Sequence, residues 1–222
     1  EVRKRVFFAL AVFGVAMVAG FVFYEKIIKF LIGALSLQGI NVVFTSPFQF
    51  INLAISCGVA TGLVVVFPVV VVQILSFLKP ALKEKEYNLV MRCLPFSMIL
   101  FVSGFILGTA IMKWQIEIFL DRSVALGIGN ILDISRLLTT VIVTAALMGI
   151  GFQFPIVLLL ALRLGLIDHH SLARKRLWIY LGSFIFAILL PPDSVLADIL
   201  LSLPLIILFE LTLVLDSMSR KN

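Results

Sequence analysis

The side chains that could carry out catalysis are few in this sequence and poorly placed for it. Its two histidines, His169 and His170, are adjacent and have no cysteine near them, so they lack the spacing of a metal site. A Ser-His-Asp triad would have to draw on this one loop, and the sequence contains no Walker loop, nucleophile elbow or HExxH pattern. We therefore expect no enzyme activity, no bound metal and no cofactor.

Polar side chains inside apolar stretches are a second class of candidate, because ionisable groups within membrane spans are costly and often functional. Glu210 either pairs with an arginine or reaches the headgroups, or it contacts a partner or substrate, whereas Asp198 is expected to face water. Gln153 either satisfies a backbone carbonyl freed by Pro155 or bonds to another subunit. Gln73 has the same two interpretations.

Two further acids, Glu1 and Glu86, are candidates because the topology derived below places both on an otherwise basic face. Surface carboxylates are usually only solvated, and spacing alone favours that reading. Carboxylates brought together there would nevertheless suit a cationic peptide, because guanidinium groups bind carboxylates through two parallel hydrogen bonds.

The elements that position these residues are dictated by hydrophobicity. Of the 222 residues, 62% are hydrophobic and 14% are charged, against about 45–50% and about 25% in a soluble domain. A chain of this length has too small an interior to bury so much apolar surface, so lipid is its natural solvent. The net charge of +6 then fits basic loops that face an anionic leaflet better than it fits nucleic acid. Cys57 and Cys93 lie in or beside apolar runs and are expected to be packing residues.

Six apolar runs predict an all-α membrane protein with six transmembrane helices in a single integral membrane domain, 1–222. The predicted spans cover approximately residues 6–23, 51–75, 93–112, 137–162, 177–190 and 195–215. The fifth run has only 14 residues and is expected to thin the bilayer or to cross it only part way. The two segments 24–47 and 113–136 are mixed in character, and each predicts short amphipathic helices at the outer interface.

The distribution of basic residues predicts the orientation. With the N-terminus inside, thirteen of the eighteen Lys and Arg residues fall on the cytoplasmic side and five fall outside. Cytoplasmic loops carry the excess of basic residues in membrane proteins, so this split favours both termini in the cytoplasm. An even number of spans follows, and six satisfies it.

Five sequence elements, in this order and spacing, resemble the TatC family, which is the multispanning subunit of the twin-arginine, Sec-independent protein translocase. They are Glu1-Val2-Arg3-Lys4-Arg5; Thr45-Ser46-Pro47; Phe67-Pro68 followed by Gln73, Phe77, Pro80 and Glu86; Gly151-Phe152-Gln153-Phe154-Pro155; and Pro191-Pro192-Asp193 followed by Leu203-Pro204 and Phe209-Glu210. The resemblance extends over essentially the whole chain. Because the chain begins at Glu1 rather than at Met, we expect the first element to lack its preceding residues.

The resemblance implies a glove-shaped bundle of six helices with short fifth and sixth spans and both termini in the cytoplasm. It also implies a receptor for twin-arginine signal peptides, within a multimeric complex with TatA- and TatB-like single-span subunits, that exports folded proteins at the expense of the proton-motive force. The implied membrane is a bacterial or archaeal cytoplasmic membrane, or an organellar inner or thylakoid membrane. Carried over by motif, the signal-peptide site comprises Glu1, Arg3, Arg5, Phe77, Pro80 and Glu86. Partner contacts fall on Gln73, Gln153 and Pro155, and further structural or functional positions are Pro192, Asp193 and Glu210.

The sequence departs from the family pattern at several positions. Gln153 and Gln49 stand where the family usually or often has Glu, and Ala197 stands where it usually has Gln. Because the family pattern holds an acid at the first of these positions, we expect Gln153→Glu to be tolerated.

Two rival functions are compatible with a polytopic chain. A small-solute transporter should show broken helices in two related halves; Pro68 and Pro155 offer the breaks, but the sequence shows no repeat. A membrane-embedded lipid enzyme would need His, Asp or metal ligands clustered at one depth, and the sequence contains no such cluster.

Overall fold

The computed structural model describes residues 2–35, 42–43, 46, 48–78, 84–127, 132–163, 167–191 and 194–221. The contacts between Cα atoms divide the chain into two compact units: unit 1 is Glu1–Phe77 with Met112–Ala146, and unit 2 is Leu78–Ile111 with Leu147–Asn222. The elements in chain order are α1 (Val2–Val22), α2 (Tyr24–Ala34), β1 (Val42–Val43), α3 (Gln49–Leu78), α4 (Glu84–Ala125), β2 (Leu132–Asp133), α5 (Ile134–Gly151), α6 (Phe154–Arg163), α7 (His169–Arg174), α8 (Arg176–Ile188) and α9 (Val195–Lys221).

The all-helical membrane class predicted from the sequence is confirmed. In the described ranges, five helical stretches are long and apolar enough to cross a membrane: Arg3–Val22, Gln49–Gln73, Cys93–Ala125, Ile134–Arg163 and Val195–Met218. The fifth predicted run corresponds to α8, whose 13 residues give a helix of about 20 Å. A bilayer core of about 30 Å is thicker than that. Six crossings and the orientation of the termini therefore stay predictions.

Unit 1 is held together by close backbone packing and by one apolar core. Gly58 of α3 lies so close to α1 that a Cβ atom there would come within 2.8 Å of the Met17 carbonyl oxygen. Small residues of this kind let membrane helices approach closely, which increases the dispersion contacts that hold them together in lipid. The core contains buried residues from α2, α3, α4 and α5, including Leu31, Leu53 and Leu138. Strands β1 and β2 pair in parallel, with Val42 opposite Leu132 and Val43 opposite Asp133.

Unit 2 centres on α9, which α6, α7 and α8 all contact. One buried cluster includes Met148, Ala187 and Leu201. A second cluster includes Leu158, Leu172 and Phe209. The short helix α8 and the following helix α9 pack together as a hairpin. Asp198 donates its backbone N–H to the Ser194 carbonyl at the start of α9.

The prediction for residues 113–136 is wrong in part, because residues 113–125 are not a separate interfacial helix. They continue α4 without interruption to Ala125. The physical reason lies in the sequence, since no proline or glycine occurs between Met112 and Ala125 to end the helix. The chain turns only at Gly127, whose φ of 68° suits a residue that lacks a Cβ atom. In the other predicted segment a separate amphipathic helix does form, as α2.

Replacing Gly104 with alanine is expected to destabilise unit 2. A Cβ atom at this position would lie 2.7 Å from the Met148 carbonyl oxygen and 2.7 Å from Cγ of Phe152, so α4 and α5 would have to separate. Overpacking of this kind costs about 1–3 kcal/mol. Thermal unfolding of the purified protein in detergent should show a lower midpoint.

Gly182→Ala is the matched control, because nothing lies within 4 Å of the Cβ position at Gly182 in α8 of the same unit. It should leave the midpoint unchanged or raise it, since alanine favours helix over glycine. Equal midpoints for both variants would show that α4 and α5 do not pack as described.

Candidate functional site

The first turn of α1 is tied to the end of α3 in unit 1 by one side chain of the predicted signal-peptide site. Arg5 is half-buried, and its Nη1 donates a hydrogen bond to the backbone carbonyl of Gln73 at 3.1 Å. Gln73 lies five residues before Leu78, the last residue of α3. Arg3 lies in the same first turn of α1 and is exposed. The structure therefore brings Arg5 and Gln73 together, through the Gln73 backbone.

The remaining residues of the predicted signal-peptide site are only partly described. Phe77 is the second-last residue of α3, and Glu86 lies in the first turn of α4, where a carboxylate complements the helix dipole. The side chains of Phe77 and Glu86, and the whole of Glu1 and Pro80, lie outside the described part of the structure. Their roles therefore stay predictions from the resemblance.

Gln153 sits at the break between α5 and α6 in unit 2 and joins it to α4. Its Nε2 donates to the Ser97 carbonyl at 3.2 Å and to the Gly149 carbonyl at 3.4 Å, while its Oε1 accepts a hydrogen bond from Ser97 Oγ at 2.6 Å. The backbone N–H of Gln153 goes to the Ile150 carbonyl instead of to Gly149, so the side chain supplies the donor that the Gly149 carbonyl loses. Pro155 is buried as the second residue of α6. The Gln153 amide therefore connects α4 to the break between α5 and α6. It also satisfies the Gly149 carbonyl, which loses its helical donor at this break.

Glu210 is paired within unit 2. Its Oε1 accepts a short hydrogen bond from the Tyr180 hydroxyl and lies 3.5 Å from Nε of Arg176. Tyr180 also packs edge-on against Phe209, with ring centroids 6.0 Å apart. The Glu210 carboxylate thus fastens the first turns of α8 to α9, which corresponds to the arginine-pairing alternative considered from the sequence. Pro192 and Asp193, the other two positions grouped with Glu210, lie outside the described residues.

Asp216 is a buried acid that the sequence analysis did not single out. Its side chain is 2% exposed, and Oδ1 lies 3.8 Å from Nε of Arg163 at the end of α6. Truncating one partner of a buried ion pair strands the other charge, so such pairs hold helix ends together. Helical spacing could have revealed the residue, because Asp216 lies three residues after Leu213 and seven after Phe209, on the buried face of α9.

Gln49, at the start of α3, also has a local explanation that the sequence did not give. Its Nε2 donates to Oδ2 of Asp133 at 2.6 Å, and its carbonyl accepts from Ser135 Oγ at 3.0 Å. A glutamate at position 49 would set two carboxylates against each other, whereas the amide donates to the aspartate. The departure from the family pattern is therefore matched by Asp133.

Gln153→Glu is now expected to destabilise unit 2, which changes the expectation drawn from the family pattern. The substitution replaces an N–H donor by a carboxylate oxygen that faces the Ser97 and Gly149 carbonyls. Leaving such groups without partners costs about 1–3 kcal/mol. Thermal unfolding in detergent should show the loss.

Ser97→Ala is the matched control, because it removes only the bond to Oε1 and keeps both donations from Nε2. It should cost about 1 kcal/mol. Wild-type stability in Gln153→Glu, together with a loss in Ser97→Ala, would contradict the assigned orientation of the amide.

Comparisons with known proteins agree over nearly the whole chain. The family model of TatC, described as Sec-independent protein translocase protein, matches residues 1–204. The Sec-independent protein translocase protein TatCy of Bacillus subtilis is 28% identical over 229 residues, which cover 100% of this chain and 88% of the relative. The TatC protein of Listeria innocua is 27% identical over 226 residues, covering 100% and 90%.

The fold is shared with a solved structure. A crystal structure of a twin-arginine translocase receptor, TatC, superimposes with a TM-score of 0.86 at 23% identity and covers 99% of this chain and 97% of that chain. With its apolar helices, the chain is an integral membrane protein and a component of the Sec-independent protein translocase. These matches show that the chain belongs to the TatC family.

Proposed function

We propose that this chain is the signal-peptide receptor and core subunit of the twin-arginine translocase, which exports folded proteins by using the proton-motive force. The observation that carries the proposal is the match to the TatC family over residues 1–204, supported by a shared fold over 99% of the chain. Use of the proton-motive force is what the resemblance to the TatC family implies.

Recognition of the paired arginines is assigned to Glu1 and Glu86. Carboxylates accept two parallel hydrogen bonds from each guanidinium, and this geometry selects arginine over lysine. The resemblance carries this assignment, and the position of Glu86 in the first turn of α4 is compatible with it. Phe77 and the adjacent Leu78 are assigned as apolar surface for the hydrophobic stretch of the signal peptide. Pro80 belongs to the same motif of the site.

Arg3 and Arg5 complete the proposed site from α1. The Arg5 guanidinium contacts the Gln73 carbonyl, so the end of the helix that directly follows Glu1 is fixed to α3. We assign Arg5 as a positioning residue for Glu1. Arg3 is exposed and is available to the acidic or polar groups of an incoming precursor.

Partner subunits with one transmembrane span, resembling TatA and TatB, are proposed to pack against unit 2 near the break between α5 and α6. Gln153 is half-buried there beside the buried Pro155, and a partner helix could bond to groups that the contacts of the Gln153 amide do not use. Gln73 is the corresponding polar position in unit 1. Pro192, Asp193 and Glu210 are proposed to maintain the hairpin of α8 and α9, in which the contacts of Glu210 to Arg176 and Tyr180 lie.

The proposed topology has six crossings within a single membrane domain and both termini in the cytoplasm. The five long apolar stretches supply five crossings, and the short helix α8 supplies the sixth by thinning the bilayer. The thirteen-to-five split of basic residues sets the orientation. The membrane is a bacterial or archaeal cytoplasmic membrane, or an organellar membrane that carries a proton gradient.

Glu86→Ala is expected to reduce binding of a twin-arginine signal peptide by tenfold or more, because a charge-assisted bidentate contact contributes about 1.5–3 kcal/mol. The measurement is photo-crosslinking of a labelled signal peptide to membranes that contain the protein. Glu84→Ala is the matched control, because it removes a carboxylate from the same turn that does not belong to the family motif. Normal crosslinking to a Glu1→Ala/Glu86→Ala double variant would refute the assigned site.

Cysteine labelling tests the topology. In a Cys57→Ala/Cys93→Ala background, single cysteines replacing Arg3, Glu86 or Ser171 should react with a membrane-impermeant maleimide only from the cytoplasmic side. A cysteine replacing Ala125 should react only from the other side, because positive-inside orientation places it there. Labelling of positions 3 and 86 from opposite sides would eliminate a common peptide site.

A further inference from the structure

The junction of α7 and α8 presents basic side chains directly beside exposed apolar ones. Arg174, Lys175 and Arg176 are consecutive and exposed. Leu177 and Trp178 follow immediately and are 76% and 73% exposed. A soluble surface would not leave a tryptophan and a leucine so open, but the boundary between headgroups and acyl chains suits both groups of residues at once.

Helix α7 holds these basic residues in a fixed position. Asp168 caps the helix by accepting hydrogen bonds from the backbone N–H groups of His170 and Ser171, at 3.0 and 3.3 Å. Leu172 is buried in the core of unit 2 and anchors the opposite face of this single short helix. Arg174 is further steadied by its contact with His170, between Nη2 and Nε2 at 2.9 Å. The Arg174 guanidinium is therefore exposed but partly ordered, so it loses less conformational entropy when it binds a ligand.

The acids at this end of unit 2 have other partners among the described residues. Glu210 pairs with Arg176 and Asp216 pairs with Arg163. Asp168 is occupied as the cap of α7. Arg174 and Lys175 form no ion pair with a described acid, so both basic side chains are left to bind an anionic group. An anionic group is therefore the complementary ligand.

In the topology proposed above, in which α8 crosses the membrane, the short length of α8 brings this basic surface to the level of the lipid phosphates. The helix is about 20 Å long, shorter than a bilayer core of about 30 Å, and its apolar face continues through the exposed residues Leu181 and Ile185. Headgroups must move toward such a short helix, or its flanking basic side chains must extend toward them.

We propose that the α7–α8 junction is a binding site for the headgroup of an anionic glycerophospholipid. Arg174 and Lys175 bind the phosphate and its net negative charge, while Leu177 and Trp178 pack against the glycerol and upper acyl chains. The bound lipid fastens the start of α8 to the membrane surface. This inference rests on the topology proposed above and does not depend on the proposed recognition of signal peptides.

The test is native mass spectrometry of the purified full chain in detergent, titrated with phosphatidylglycerol and with phosphatidylcholine of the same acyl chains. Each basic residue near a surface contributes about fivefold to the binding of anionic lipid. The wild-type protein should prefer phosphatidylglycerol by tenfold or more. Arg174→Gln/Lys175→Gln should lose most of this preference and leave phosphatidylcholine binding unchanged.

Two control variants separate a defined site from general charge. Lys26→Gln/Lys29→Gln removes the same net charge from exposed positions on α2 and should keep the preference. Arg174→Lys/Lys175→Arg retains both charges and should keep it as well. The proposal is overturned if both Gln double variants lose the preference equally, if neither loses it, or if the wild-type protein binds both lipids alike.

Discussion

Lipid provides no hydrogen-bond partners, and this constraint acts on the polar groups of the spans. The spans use helices, which pair their own backbone groups, and among the described residues Gln153, Glu210 and Asp216 are each paired with a group of another helix. The Gln153 amide satisfies the Gly149 carbonyl where α5 gives way to α6. Glu210 and Asp216 each contact an arginine from a neighbouring helix of unit 2. These polar residues therefore join neighbouring helices. A role of the same residues in transport would have to preserve these contacts.

The residues that we propose to bind ligands lie at the ends of the apolar helices. Arg5 lies in the first turn of α1 and contacts a carbonyl near the end of α3, so the segment beginning at Glu1 starts from a fixed point of unit 1. Arg174 and Lys175 project from a capped and anchored turn of helix in unit 2. In both places, the charged side chains that we propose to bind ligands lie beside contacts that tie their segment to a neighbouring helix. The proposed role as a receptor for a charged signal peptide is consistent with this arrangement.

The apolar helices could be predicted from the sequence because a bilayer stabilises long runs of apolar residues whatever their tertiary contacts. The prediction was wrong about residues 113–125, where mixed composition suggested a new helix although no residue was present to end α4. The sequence left two interpretations open for Gln153 and for Glu210. Their partners Ser97, Tyr180 and Arg176 lie far away in the sequence, on other helices. Asp216 was missed, although its spacing from Phe209 and Leu213 placed it on the buried face.

Gln49 and Gln153 show the limit of transferring a motif residue by residue. Each replaces an acid of the family pattern, and each amide donates to an oxygen that a carboxylate would repel: Asp133 Oδ2 for Gln49, and two backbone carbonyls for Gln153. These compensations depend on three-dimensional neighbours. The assignments of Glu1, Pro80, Pro192 and Asp193 come from the resemblance alone, since these residues lie outside the described ranges.

The most direct test of the account is export in a bacterium that lacks its own TatC and produces this chain with its single-span partners. The reporter is a folded fluorescent protein with a twin-arginine signal peptide, and its amount outside the cytoplasmic membrane is measured. The account predicts that export is restored and is lost when the arginine pair is replaced by two lysines. Stable insertion of the chain without export, or equal export of both reporters, would contradict it.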